Sequence, residues 1–468
     1  MLSETRKIIA LAMTVSLAAC QQTKVSNDEI SRSHRSGIEK MQSGDYAKAQ
    51  EHFHKAIALG NQRGSKELVI SSHGQLGLIA IHKGDYNLAV KQFNLAVESD
   101  LKELGENHRT IAFYYANIGV AYGRQGAWDN AEGYFNKALE IENKSGNHSK
   151  KQQNIAYLHG NLAAVYYNQK KYQQAVDYYK KALNYENRMF GEKDKNVISR
   201  YKAIGSSYWQ LKNFDLALES YKKALDLEVK ILGPQHRDVI NTYTRIASLH
   251  EQKGQIDQAA EIYQKILTLD STSPAGKKAQ SGINPHQRLA KMYQRKGDTD
   301  RAVASYTKAI GEESKKHGAD SLPVASLYGE VGSLHESKAQ VDKAIEAKQN
   351  ALTIEFKKLG VNNARTINRY IEIGVLYRKK GDYDRALQYL QRALNEQLGT
   401  LGQDNPQIAT DYSQIGMTFQ KKGDVELALD NFKKALDIRK KHLGEKHPKT
   451  LAVQKEVTAL EQLKAAKK

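Results

Sequence analysis

With 468 residues the chain has room for about three ordinary domains, yet it carries only six prolines and one cysteine, and its formal net charge is +19. One thiol excludes a disulfide framework. The near absence of strict apolar and polar alternation excludes a sheet, so the chain is expected to be all-α. So basic a chain, held in the cytosol, would point first to nucleic acid.

The first segment argues for another compartment. Arg6 and Lys7 precede an apolar run from Ile8 to Ala19, and Cys20 follows. That run is shorter than the roughly 20 residues a spanning helix needs. A basic start, a short apolar stretch and small residues before a cut site describe a secretory signal peptide. Leu17-Ala18-Ala19-Cys20 resembles the lipobox of bacterial lipoproteins. The resemblance implies removal of residues 1–19, acylation of Cys20 as the new amino terminus and, because Gln21 rather than Asp comes next, an outer-membrane lipoprotein of the cell envelope facing the periplasm. Several acyl chains, at about 0.8 kcal/mol per buried methylene, anchor far more firmly than one. Loss of the leader leaves 69 basic against 51 acidic residues. Beyond the inner membrane, phospholipid headgroups, anionic polymers or acidic protein segments are better partners for that charge than nucleic acid.

After a short tether at 20–28, one pattern recurs ten times. Gly44, Gly84, Gly126, Lys170, Lys212, Gly254, Gly297, Ala339, Gly381 and Gly423 stand 40 to 44 residues apart. Seven residues before each mark is Gly or Ala, and five after it is Ala. In the ninth copy Ile367, Tyr370, Ile373 and Tyr377, then Leu387, Leu390 and Leu394, follow the spacing of an apolar helix stripe. The glycine between them suits a left-handed helix end, and Asp382 can cap the next helix. Each copy therefore reads as helix, tight turn, helix. The small residues are notches for close helix packing. Four residues beyond the second notch an aromatic fills the pocket in eight copies, among them Phe53, Phe93, Tyr179, Tyr221 and Phe432, with Lys348 and Leu390 as exceptions.

Over about residues 29–447 this pattern resembles the tetratricopeptide repeat family. The 42-residue period and the loops beginning at Leu104, Leu232 and Leu443 resemble the long repeats of kinesin light chains. The resemblance implies a right-handed superhelix whose concave groove binds protein segments. With a lipobox where a kinesin light chain has its heptad coil, fold and binding mode carry over and the motor partner does not.

Pro234, Pro323, Pro406 and Pro448 fall between repeats or at helix starts, where a ring is tolerated. Pro285 lies five residues before the notch at Ala290, so that helix must begin late, and the stretch 271–284 reads as an irregular joint. It divides repeats one to six, at 29–270, from repeats seven to ten, at 285–447. Residues 448–468 supply a capping helix, with Leu451, Val453, Val457 and Leu460 apolar, and a basic tail.

Chemistry is sparse. Gly276-Lys277-Lys278 lacks the first glycine and the strand of a phosphate loop, and His52 and His54 face different directions on a helix. His73, His159 and His286 stand where other copies have Tyr and read as packing residues. No catalytic residues, metal, cofactor or small-molecule substrate are expected. In the family resembled, helix-one positions around the notch line the groove. Here they carry Asn117, Arg124, Asn161, Asn168, Lys202, Arg245, Arg288, Lys291 and Arg295, and then Glu330, Glu336 and Glu372 reverse the sign, with Arg378, Lys379, Gln414 and Lys421 mixed in. Amides can pair with the backbone of an extended segment, and Arg and Lys attract carboxylates. The chain is thus expected to be a lipid-anchored scaffold holding an acidic protein or peptide partner, in support of envelope assembly, secretion or wall synthesis. Capture of an anionic envelope polymer, wall glycan or lipopolysaccharide, through net charge is the alternative.

Overall fold

A computed structural model describes residues 29–146, 150–191, 194–271 and 284–466. The expected signal peptide, Cys20, the tether and nearly all of the expected joint lie outside the described residues. The chain divides into two compact units, one ending at Leu249 and one beginning at His250. The boundary thus falls within a helix, ahead of the stretch expected as a joint.

The first unit holds the pairs α1 (Glu29–Gln42) and α2 (Tyr46–Arg63), α3 (Lys66–Lys83) and α4 (Tyr86–Leu104), α5 (Arg109–Gln125) and α6 (Trp128–Lys144), α7 (Lys151–Asn168) and α8 (Tyr172–Phe190), α9 (Lys195–Gln210) and α10 (Phe214–Leu232). Helix α11 (Arg237–Gln252) contains the boundary. The second unit continues with α12 (Ile256–Ser271), then α13 (Pro285–Arg295) and α14 (Thr299–His317), α15 (Leu322–Ser337) and α16 (Val341–Leu359), α17 (Ala364–Lys380) and α18 (Tyr383–Leu401), α19 (Ile408–Lys422) and α20 (Val425–Leu443), and the cap α21 (Pro448–Ala466). Among the described residues there is no strand.

The turns form as their residues dictate. Gly84 sits at φ 83°, and the next N–H, of Asp85, reaches back 2.9 Å to the Ala80 carbonyl, which closes the helix end. The Asp85 carboxylate then accepts from the Leu88 N–H at 3.0 Å, and Asp45, Asp298 and Asp382 cap α2, α14 and α18 in the same way. Each such cap contributes about 1 kcal/mol. Lys170, Lys212 and Ala339 hold the same left-handed backbone, at φ 63°, 58° and 55°, without glycine's freedom.

The notches do what their spacing implies. A Cβ on Gly77 would lie 2.7 Å from the Phe93 ring, and one on Gly37 equally close to Phe53. The filler aromatics are buried, and burying one contributes roughly 2–3 kcal/mol. In the eighth copy the stem of Lys348 replaces the ring against Gly332, and the residue is 3% exposed. The late helix start is α13, with Pro285 as its first residue.

A second periodic feature joins successive repeats. Sixteen residues after the mark stand Asp100, Glu142, Glu186, Glu228 and Glu355, all buried near the end of the second helix. Each holds the start of the next repeat: Asp100 accepts from Thr110 at 2.6 Å, Glu142 from Asn154 at 2.6 Å, Glu186 from Arg200 at 3.0 Å, Glu228 from Thr242 at 2.6 Å, and Glu355 from Arg369 at 3.2 Å. Burial raises the Asp100 and Glu186 carboxyls above their ordinary range. On the exposed edge of the second unit, Lys338 meets Asp300 at 2.6 Å and Lys422 meets Asp384 at 2.8 Å, with Lys296–Asp257 and Lys380–Asp342 in register. Singly these surface pairs are worth little.

The cap differs from expectation at one residue. Val453, Val457 and Leu460 pack on α20, but Leu451 is 54% exposed. Positions 451 and 453 lie on different sides of a helix, and only one of them can face α20.

Candidate protein-binding groove

In the first unit α1 touches α3, α3 touches α5 and α5 touches α7, and in the second α17 touches α19. In these repeats the first helices therefore lie side by side as one layer, and their side chains line its face.

The structure shows what several of the nine expected groove residues touch. Asn117 is 4% exposed and donates from Nδ2 to the Phe113 carbonyl at 2.8 Å, so it is turned into its own helix. Asn168 is exposed but likewise spends its amide on the Ala164 carbonyl at 2.7 Å. Lys202 is drawn 2.9 Å from the buried Glu228, and Arg288 lies 3.5 Å from Glu251. The buried acids were missed by reading groove positions alone. Their recurrence at one offset from the mark is the signal that would have found them.

Arg124, Asn161 and Arg245 remain on the inner face of the first unit, together with aromatic residues that spacing did not single out. Burial pushes the Tyr157 phenol up to about 12, against the pull of the Arg124 and Arg200 guanidinium groups beside it. Arg200 lies over Gly160, where a Cβ would come within 2.5 Å of its Nη2. Asn161 adjoins the Tyr157 hydroxyl, and its buried Nδ2 makes no hydrogen bond of sound geometry. Further along, the exposed Arg245 stands 5.9 Å over the Tyr221 ring. The Tyr221 hydroxyl pairs with Ser206 Oγ at 2.7 Å, and the half-buried Trp209 meets the ring edge-on at 6.4 Å. Burial raises the Tyr167 phenol, which lies near Tyr221 and Arg245. The inner face therefore alternates guanidinium groups with half-buried rings.

In the second unit Lys291 and Arg295 are exposed on α13 and form no ion pair among the described residues. Two of the three acids expected to reverse the sign, Glu336 and Glu372, are neutralised locally. Glu336 is held by Lys379 at 2.6 Å and Lys348 at 3.5 Å, and Glu372 by Arg369 at 2.7 Å and Lys348 at 3.1 Å. Burial raises the Glu336 carboxyl, but the two lysines outweigh it and hold it below the ordinary range.

Two first-unit histidines, His34 and His159, are buried. His34 is buried between Ser72 Oγ at 2.9 Å and Ser71 Oγ at 3.2 Å, and burial lowers it to about 4. Ser72 donates to the Leu68 carbonyl at 2.7 Å, so its hydroxyl is engaged and inaccessible. Burial also lowers His159 to about 4. Among the described residues no three His, Cys, Asp or Glu side chains are grouped to hold a metal, and no helix is long and apolar enough to cross a membrane.

A family model described as tetratricopeptide repeat matches residues 68–144, 154–228, 197–272, 323–395 and 363–441, and a second matches 286–316. Together they cover well over half of the chain. No curated protein matches it. Among solved structures, the C-terminal part of a TPR repeat-containing protein from Cytophaga hutchinsonii is 16% identical, with 63% of this chain and 98% of that one covered and a TM-score of 0.46. BtubC from P. vanneervenii is 17% identical over 50% of this chain and 90% of its own, with a TM-score of 0.40. Nearly identical TPR-like kinesin light chain repeats from Podosopora anserina are 18% identical over 44% and 98%, with a TM-score of 0.38.

Proposed function

This chain belongs to the tetratricopeptide repeat family and is a protein-interaction scaffold, and we propose that its first unit holds an extended acidic protein segment along the inner layer of first helices. The observation that carries the reading is the alternation of Arg124 and Arg245 with the half-buried rings of Tyr157, Tyr167 and Trp209. Arginine and aromatic side chains are the residues that dominate protein interfaces, because they combine large contact area with oriented donors. Helices α5 and α11 are three repeats apart, roughly 30 Å at ordinary helix spacing, so a bound segment reaching both arginines needs about nine extended residues. The repeat fold is typically that of a non-enzymatic scaffold.

The lipobox supports a lipid-anchored protein of the envelope, close to the membrane because few residues separate Cys20 from α1. Replacing Cys20 by Ser should release it from membranes, and full retention would defeat that reading. Partner capture is tested with a photo-crosslinking residue at Ser248 in the lipidated protein in intact cells, with adducts identified by mass spectrometry. The reading expects an acidic segment that disappears from the adducts in the Arg124→Glu, Arg245→Glu double variant while helicity by circular dichroism is unchanged. Undiminished capture would refute it. The net charge favours one second reading, an anionic envelope polymer as the partner. Polymer binding should collapse as salt rises, whereas a segment seated among half-buried rings should partly persist.

A further inference from the structure

In the second unit α14, α16, α18 and α20 end alike. Gly318, Gly360, Gly402 and Gly444 stand at φ 89°, 81°, 77° and 83°, and each N–H donates to the carbonyl four residues back at 3.0 or 3.1 Å. One helix end repeated in every copy brings the last turns, and the loops that follow them, to a single edge of the unit, at the other end of the helices from the tight turns. The residue before each glycine and the residue three earlier lie on one side of the helix. Along this edge those places hold Phe356, Leu359, Leu398, Leu401 and Leu443. Phe356 is 47% exposed, Leu401 41% and Leu443 39%. Three successive repeats thus hold an apolar side chain out in water, where a contiguous row of such side chains favours any contact that covers it.

The same edge is basic. Its last turns and loops, at 314–321, 356–363, 398–407 and 440–447, carry seven lysines against three acids. Each acid is already held by a lysine: Asp320 by Lys357, Asp404 by Lys441 at 2.7 Å, and Glu445 by Lys440 at 3.6 Å. Lys315, Lys316 and Lys446 are exposed and form no ion pair among the described residues. Lysine suits the carboxyl end of a helix, but α15, α17, α19 and α21 begin on this same edge, and the partial positive charge of their amino ends offsets that of the carboxyl ends. The surplus of cations therefore faces outward. At the opposite edge the lysines are paired in register, Lys338 on Asp300 at 2.6 Å and Lys422 on Asp384 at 2.8 Å.

We propose that this loop edge of the second unit lies on the surface of an anionic phospholipid bilayer, with Phe356, Leu401 and Leu443 entering the headgroup region and Lys315, Lys316 and Lys446 among the phosphates. Interfacial binding draws on apolar area removed from water and on attraction to anionic lipid together, and the edge supplies both. Each lysine near such a surface is worth roughly fivefold in affinity. Protein interfaces disfavour lysine, whereas lipid phosphates accept it without a fitted partner. The contact uses the carboxyl ends of second helices, so it leaves the face of first helices free, and it does not depend on an acyl anchor.

Full-length protein carrying Cys20→Ser, and so lacking its one native thiol, is labelled with an environment-sensitive fluorophore at either of two exposed positions. Gln403→Cys places it in the loop after α18, and Lys421→Cys places it in the last turn of α19, towards the opposite edge. Vesicles of equal parts phosphatidylglycerol and phosphatidylcholine should blue-shift and brighten the dye at 403, and a lipid-borne quencher should dim it, while the dye at 421 responds to neither. Any hold of residues 1–19 on the vesicle is common to both proteins, so the contrast reads the edge. Phosphatidylcholine alone should weaken the response at least tenfold, as should Lys316→Glu combined with Lys446→Glu. Phe356→Ser with Leu401→Ser should abolish the blue shift with helicity unchanged. If Phe356→Ser loosens α16, seen as faster amide exchange there, Leu401→Ser with Leu443→Ser decides. Equal responses at 403 and 421, equal responses to the two vesicle types, an undiminished response in the lysine variant, or a shift produced as readily by soluble dextran sulfate would each overturn the proposal.

Discussion

Asp411, at the start of α19, is 3% exposed, its Oδ2 has no hydrogen-bond partner, and burial pushes its carboxyl from 3.8 up to about 7. It stands fourteen residues after Gln397, as Arg200 does after Glu186 and Arg369 after Glu355. Gln397 Oε1 is also buried without a partner. Where two other junctions place an acid on an arginine, this one has an amide and a carboxyl with no cation, and a proton on Asp411 removes the buried charge. Between pH values of about 4 and 7 the folded chain keeps that proton while the unfolded chain has released it, so stability present below the unfolded value is lost as pH rises through the folded one. Some three units at 1.36 kcal/mol each set a limit of about 4 kcal/mol, felt in α19–α21 rather than across the array. Asp411→Asn carries a donor at every pH. Hydrogen exchange of α19–α21, corrected for intrinsic rates, should show the variant opening less readily than wild type at pH 8, by up to about a thousandfold, and equally at pH 4. An identical pH slope in the two proteins would refute the reasoning.

Other expectations concern different elements. His34 and His159 have folded values near 4 against an ordinary 6.5, so the stability they leave intact at neutral pH is lost as pH falls between those limits. Exchange in α1–α8 should therefore quicken on acidification, opposite in sign to the effect at α19. Gly77→Ala forces a methyl against the buried Phe93 ring and should cost about 1–3 kcal/mol. Gly133→Ala, in open space on α6, should instead stabilise by about 0.5–1 kcal/mol. Thermal melts of the two variants side by side check the contrast, and equal shifts would remove the notch from the account. Lys348→Met keeps the stem against Gly332 and leaves Glu336 and Glu372 their other cations, so chemical denaturation should find stability unchanged within about 1 kcal/mol or increased. A loss above about 3 kcal/mol would show that the buried ammonium holds the repeat together.

The sequence by itself determined the helix pairs, their turns and the packing of each pair. A left-handed turn, a capping carboxylate, a missing Cβ and the ring that fills its place all act within some forty residues of chain, so a fixed period displays them. Which cations stay presented was decided only by the tertiary structure. Lys202 and Arg288 meet carboxylates on neighbouring helices, Asn117 and Asn168 fold back on their own, and Glu336 and Glu372 are neutralised by a lysine occupying a core position. Nor does a position on an amphipathic stripe specify whether Leu451 or Val453 faces α20. The physical reason is that packing obeys local rules of size and backbone conformation, whereas the effective charge of a groove residue depends on which ionised or neutral groups long-range packing sets beside it. Lys202 illustrates the difference: its position along the helix was legible, and its pairing became visible only once the buried Glu228 stood against it.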